Sequence, residues 1–243
     1  MSKFLILIPA RFGSSRFPGK PLHKINGKSM ISYVVENCIL SGFDYAVVTD
    51  NDDIENEVLN LKGNVVRVDD NVTTGSERIA LAYKKFFKDK NYEYIINVQG
   101  DEPLLSGDVI NKIGRFHTTK DYDIATAVKK RSSFDEDFLN TNIVKCILSP
   151  NKRCLYFSRQ SIPFARDNNE YSWYQHVGIY SYKPSALLDF VKLEESSLEK
   201  LERLEQLRAL ENNITICAEI IDIDLIGVDC PDDIKKVEKV LNE

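Results

Sequence analysis

Lys3-Phe4-Leu5-Ile6-Leu7-Ile8-Pro9-Ala10-Arg11-Phe12-Gly13-Ser14-Ser15-Arg16-Phe17-Pro18-Gly19-Lys20 is the stretch that decides the fold. Residues 3–9 form an apolar run with no polar alternation after Lys3, the pattern of a strand buried on both faces. The run is too short to cross a membrane. No small-residue cleavage site follows it, so it does not read as a secretory leader. Directly behind it, three fixed cations (Arg11, Arg16 and Lys20) fall within ten residues of a chain whose net charge is −5. Two hydroxyls and two glycines lie between them. Glycine lets a backbone approach a ligand closely, and its N–H groups can cradle phosphate oxygens. Arginine grips phosphate bidentately, while lysine acts as a point charge. A polyphosphate at the mouth of a sheet is the natural ligand. The segment is not a P-loop, because five residues separate Gly13 from Gly19 and Pro21 follows Lys20.

Working outward, short apolar runs alternate with amphipathic stretches. Strands are expected over 3–9, 45–49, 64–68 and 94–98, and helices over 30–40, 53–61 and 75–87. This alternation implies a parallel sheet wrapped by helices, with ligands bound beyond the carboxyl ends of its strands. The rhythm changes after residue 124. Segments 124–129, 143–148, 153–158 and 178–182 read as strands, and the region 145–182 as a hairpin-rich excursion. A helix over 197–210, a strand over 214–221 and a helix over 231–241, with Pro231 in its first turn, complete the pattern. With 243 residues and neither repeats nor linkers, one continuous domain over 1–243 is the economical reading.

Composition narrows the function. Apolar residues make up 43% and charged residues 28%, as in ordinary globular proteins. An acidic chain is a poor general binder of nucleic acid. The five cysteines form no CxxC pair, which speaks against a structural zinc site or a disulfide framework and for reduced thiols in the cytoplasm.

Asn97-Val98-Gln99-Gly100-Asp101-Glu102-Pro103 stands at the end of the fourth expected strand. A carboxylate there can hold Mg²⁺ against phosphate oxygens, or merely cap a helix. Asp229, just before Pro231, offers the same two readings. Thr74-Gly75-Ser76-Glu77 is a capping-box pattern.

Together these motifs resemble the sugar nucleotidyltransferases, and most closely the 3-deoxy-manno-octulosonate cytidylyltransferase (CMP-Kdo synthetase) family. The resemblance runs essentially end to end. It extends to Lys28-Ser29-Met30-Ile31, Tyr156-Phe157-Ser158-Arg159, His176-Val177-Gly178-Ile179-Tyr180, Leu204-Glu205-Gln206-Leu207-Arg208 and Gly227-Val228-Asp229. It implies a Rossmann-like nucleotide-diphospho-sugar transferase fold, α/β with a mixed, mostly parallel sheet and helices on both faces. The implied reaction is Mg²⁺-dependent transfer of CMP from CTP to Kdo, for the inner core of lipopolysaccharide. By resemblance, Asp101, Lys20 and Arg11 are catalytic. CTP would be held by Pro9, Ala10, Arg11, Ser14, Ser15, Arg16, Lys20, Thr74, Gly75, Ser76 and Arg78. The sugar acid would be held by Gln99, Arg159, His176, Tyr180, Glu205 and Gln206, and the metal by Asp101 and Asp229. The family also implies a cytoplasmic homodimer, with the excursion at 145–182 as the dimer surface and neither nucleic acid nor membrane as a partner.

One departure bears on the sugar. Gln175 stands where relatives carry Arg or Lys, and loss of that cation would suit a substrate amine, as in 8-amino-Kdo. The same residues would also serve a cytidylyltransferase for a sialic-type sugar acid, or a nucleotide-binding module without catalysis.

Overall fold

The computed structural model describes residues 3–13, 17–132, 136–167, 171–223, 226–228 and 230–242. In chain order its elements are β1 (Phe4–Pro9), β2 (Lys24–Ile25), β3 (Lys28–Ser29), α1 (Met30–Leu40), β4 (Asp44–Thr49), α2 (Asp52–Asn60), β5 (Val65–Arg67), α3 (Gly75–Ala82), β6 (Tyr94–Asn97), α4 (Gly107–Thr118), β7 (Ile124–Ser132), β8 (Lys145–Leu148), β9 (Cys154–Ser158), β10 (Ser172–Tyr182), α5 (Pro184–Phe190), α6 (Ser197–Glu202), α7 (Gln206–Glu211), β11 (Ile216–Ile221) and α8 (Pro231–Leu241). The chain divides into two compact units, Met1–Gly114 with Asp224–Glu243, and Arg115–Ile223.

In the first unit, β6, β1, β4 and β5 lie side by side and every pairing is parallel. Ile6, Leu7 and Ile8 of β1 are fully buried, as an uninterrupted apolar strand between two parallel neighbours must be. The chain moves from β1 to β4 on one side and returns to β6 on the other. That reversal opens a crevice at the carboxyl ends of β1 and β6, where Pro9 and Asn97 end their strands. Helix α1 packs Met30, Ile31, Val34, Val35 and Cys38 inward. A further apolar cluster joins Phe17, Ile25, Met30 and Val228 to Ile234 and Val237 of α8.

In the second unit, β11 pairs in parallel with β7, while β7–β10, β10–β8 and β8–β9 are antiparallel. Across both units the strands form the expected α/β fold with a mixed, mostly parallel sheet, and β8, β9 and β10 fall within the expected excursion.

Several boundaries differ from expectation. The helix over 197–210 is two helices, because Arg203 turns left-handed (φ 53). That turn lets Arg208 fold back and grip Glu199 with two bonds of 2.9 Å, a buried pairing that a straight helix would not allow. The helix over 75–87 widens into a π-helical turn over Tyr83–Phe87, which keeps Tyr83 and Phe87 buried and leaves Phe86 exposed. Strand β10 starts at Ser172, six residues before the expected strand. No element was expected at α4 or α5. Gly107 opens α4 where an added Cβ would meet the Asn37 carbonyl at 2.7 Å, so the helix start can lie against the end of α1.

Candidate functional site

A cavity of about 270 Å³ opens at the carboxyl ends of β1 and β6. Pro9, Ala10, Arg11, Lys20, Thr74, Gly75, Arg78, Gln99 and Asp101 line it, so the structure brings together most of the residues expected to hold the nucleotide. Ser14, Ser15 and Arg16 lie outside the described residues, as does Asp229. Ser76 is buried and does not line the cavity.

Each wall has a local cause. Gly19 takes a left-handed conformation (φ 68), and its N–H donates to the Phe12 carbonyl at 3.0 Å. This closes the loop after β1 and turns Lys20 inward. The Lys20 ammonium donates to Asp101 Oδ2 at 2.7 Å and to the Val228 carbonyl at 2.7 Å. Its side chain is 11% exposed, whereas that of Asp101 is 36% exposed. Gly100 permits the tight turn into Asp101, since a Cβ there would stand 3.2 Å from the Pro9 carbonyl. Arg11 is exposed and donates to the Thr73 carbonyl at 3.3 Å.

Opposite these cations is the start of α3. The Thr74 hydroxyl accepts from Glu77 N at 3.1 Å. The Glu77 carboxylate in turn accepts from Thr73 N, Thr73 Oγ1 and Thr74 N, at 2.8, 2.9 and 3.2 Å. The capping box satisfies some of the helix-start donors and leaves the amino end facing the cavity at Gly75. A Cβ on Gly75 would meet Pro9 at 3.3 Å and the Gln99 amide at 3.4 Å. Arg78 is nearly buried. Its guanidinium donates to the Val68 carbonyl at 2.9 Å and to Asp50 at 2.8 Å, so it braces the wall. Asp50, Val72 and Thr73 carry no expectation from the sequence. Thr73 adjoins the capping-box motif, the one signal that could have found it, whereas Asp50 belongs to no motif.

Asp101 presents a hard oxygen donor that already carries one cation, the Lys20 ammonium. That fits a divalent cation of the Mg²⁺ type, which takes one or two carboxylates and completes its shell with phosphates and water. Among the described residues no cluster of three or more His, Cys, Asp or Glu forms a protein-only metal cage. Val228, immediately before Asp229 in sequence, donates its N–H to the Asp101 carbonyl at 3.2 Å.

Of the residues expected to hold the sugar, Gln99 lies in this cavity, where it donates to Asn97 Oδ1 at 3.1 Å. The others belong to the second unit. His176 Nε2 pairs with the Thr126 hydroxyl at 3.0 Å, and its ring packs on Phe157 and Tyr180 at centroid distances of 5.0 and 5.5 Å. Loss of solvent pushes the imidazole down to about 3, so it is neutral at physiological pH. Burial first, then Tyr182 and Glu205, raises the Tyr180 hydroxyl. Glu205 accepts from Arg208 at 3.3 Å and Gln206 is buried. Arg159 donates to the carbonyls of Glu202, Thr141 and Arg203 at 2.7, 3.1 and 3.4 Å. Its guanidinium thus braces the fold as well as standing where the motif places it.

Gln175 requires a correction. It precedes His176 in a regular stretch of β10, and neighbouring strand residues point to opposite faces. His176 faces Phe157 and Tyr180. Gln175 therefore shares the face of Trp173, opposite that of His176. Its Oε1 is buried without a hydrogen-bond donor among the described residues.

Comparison with known proteins matches residues 5–216 to the family model described as Cytidylyltransferase. The chain is 40% identical over 243 residues to 3-deoxy-manno-octulosonate cytidylyltransferase of Fusobacterium nucleatum, covering 99% of this chain and 98% of that one. It is 42% identical over 240 residues to 8-amino-3,8-dideoxy-manno-octulosonate cytidylyltransferase of Shewanella pealeana, covering 96% of each. It superposes with a TM-score of 0.92 and 31% identity on a solved CMP:2-keto-3-deoxy-manno-octonic acid synthetase complexed with CTP, covering 99% of both chains.

Proposed function

The chain belongs to the 3-deoxy-manno-octulosonate cytidylyltransferase family, and on that premise we propose that it transfers CMP from CTP to the anomeric hydroxyl of Kdo. The observation that carries this reading is the cavity where Arg11, Lys20 and Asp101 meet beside the capped start of α3. A triphosphate is met there by two cations and by the amino end of a helix, each suited to its negative charge. Gly75 lets the base approach the backbone closely. The sugar oxygen bonds to the α-phosphorus as the bond from that phosphorus to the β-phosphate oxygen breaks. Pyrophosphate leaves, and the hydroxyl proton passes to water. Arg11 and Lys20 orient the phosphates and offset charge on the departing group. Asp101 and Asp229 are the residues to hold Mg²⁺, which when bound lowers the pKa of the attacking hydroxyl. Arg159, His176, Tyr180, Glu205 and Gln206 are assigned to the sugar acid by their motifs. Neutral His176 suits a hydrogen bond to a sugar hydroxyl.

The product would serve as the activated sugar for the lipopolysaccharide inner core, made in the cytoplasm. No described helix is long and apolar enough to cross a membrane. We assign a homodimer to the second unit, where Leu139, Leu155, Phe164 and Leu201 are all exposed. The segments that carry them are tied by bonds from Ser161 to Phe138, Arg159 to Thr141 and Ser158 to Glu202. Sedimentation of the protein and of a Leu139→Ser/Phe164→Ser variant tests this; an unchanged monomer in both removes the assignment.

The deciding experiment is pyrophosphate release from CTP and Mg²⁺ with Kdo, with its 8-amino analogue, or with a nine-carbon sialic acid. Fast turnover with Kdo supports the reading. The Shewanella relative favours a second reading, turnover of the amino sugar, and a preference for that analogue would move the substrate while keeping the mechanism. No turnover with any of them would leave a nucleotide-binding module.

A further inference from the structure

The Lys20 ammonium occupies an unusual position for a phosphate ligand. It is largely withdrawn from solvent and donates at 2.7 Å to the carboxylate expected to hold a metal, and at 2.7 Å to the carbonyl of Val228. One side chain thereby cross-links three segments of the first unit, the loop after β1, the turn after β6 and the return segment ahead of α8. Two cations cannot share one carboxylate oxygen without repulsion.

We infer that Lys20 is a stand-in cation for Asp101, which must be drawn off by the nucleotide's phosphates before a divalent cation binds there at full affinity. This rests on Asp101 being a metal ligand, as proposed above. Its consequence is a binding order. Metal alone binds weakly, because it must displace a charge-assisted hydrogen bond. Triphosphate offers the ammonium a new partner and so raises metal affinity, and by linkage metal raises triphosphate affinity by the same factor. The enzyme is thus protected from filling its metal position unproductively.

The test is Mn²⁺ binding to nucleotide-free protein, read from the free-ion electron paramagnetic resonance signal, for wild type, Lys20→Met, Lys20→Arg and Asp101→Asn. Removing the competing charge should tighten Mn²⁺ binding about tenfold in Lys20→Met, the effect of one charge-assisted hydrogen bond. Lys20→Arg should stay near wild type, and Asp101→Asn should lose binding. If folded Lys20→Met binds Mn²⁺ no tighter than wild type, or not detectably, the inference fails. Lys20 acylation by acetic anhydride, followed by peptide mass spectrometry on the wild type, gives a second reading that needs no variant. Mn²⁺ should raise labelling of Lys20 relative to Lys24 and Lys28, and unchanged labelling would overturn the inference. Asp101→Asn that binds Mn²⁺ as wild type does would instead refute the metal assignment itself.

Discussion

The cations of the two units are held in different ways. In the first unit, Lys20 rests on a partly exposed carboxylate and on one carbonyl, that of Val228, and Arg11 donates from an exposed position to the Thr73 carbonyl at 3.3 Å. In the second, Lys145 is fully buried and donates to the carbonyls of Asn140, Ile143 and Arg159, at 2.7, 2.9 and 3.0 Å. Arg159 spends its guanidinium on three more carbonyls. A carbonyl fixed in a turn cannot follow a departing ammonium, whereas a side-chain carboxylate can exchange one cation for another. The lesson is that the number of fixed carbonyls a cation serves, more than its burial, separates the cations of the nucleotide cavity from those that also hold the chain. Arg78 qualifies it, for it stands in the cavity wall and yet is tied to Val68 and Asp50.

The sharpest way to break this contrast is Asp101→Asn. Turnover should fall by about a thousandfold or more, roughly 4 kcal/mol of barrier. The melting temperature should move little, because the amide oxygen still accepts from Lys20. Near-normal kcat in this variant would return Asp101 to a purely structural role. Lys145→Met probes the other side. It leaves three carbonyls without their donor and should cost about 3 kcal/mol of stability in a denaturant titration. An unchanged midpoint would show that the carbonyls find other partners and that the division between the two kinds of cation is not real.

Most of the first unit was legible in the sequence, because a fully buried parallel strand leaves an unmistakable apolar run and a cation-rich stretch follows at once. Arg11, Lys20, Thr74, Gly75 and Asp101 were readable for the same reason: each sits at a strand end or helix start, where local chemistry and site coincide. The second unit was less so. The break at Arg203 and the early start of β10 are set by contacts distant in sequence, with Glu202 meeting Ser158 and Arg159, and the long run of β10 beside β7. Lys145 carried no motif, since nothing in a lone lysine announces three carbonyls waiting for it. Gln175 falls on the face opposite His176, because adjacency along a strand puts the two side chains on opposite sides of the sheet.

Histidine gives a further probe of the second unit. His117 is buried, with Nδ1 on the Ser181 hydroxyl at 2.8 Å and Nε2 on the Tyr122 carbonyl at 3.1 Å. Burial pushes it down to about 4, outweighing the Tyr122 carbonyl, which favours the charged form. Between its ordinary value near 6.5 and about 4, the unfolded chain binds the proton and the folded chain does not. Stability is therefore complete above pH 6.5 and falls as the pH drops through this window, by about 3 kcal/mol. Guanidinium titrations at pH 7 and pH 4.5 measure it, and His117→Gln should flatten the difference. An equal slope in the variant would shift the effect to His176 or to carboxylates.

The smallest effect is also the most selective. Thr74→Ala removes one bond of the capping box, the one accepted from Glu77 N, and leaves those that Glu77 accepts from Thr73 and the Thr74 backbone. The loss should be about 1 kcal/mol of stability. Because the same helix start faces the cavity, loosening it should also raise KM for CTP a few-fold with kcat nearly unchanged, while Thr74→Ser restores both. A cap that served only the helix would lower the melting temperature and leave KM alone. Steady-state kinetics on the pair therefore decide whether the amino end of α3 belongs with the exchangeable groups of the cavity or with the fixed ones of the fold.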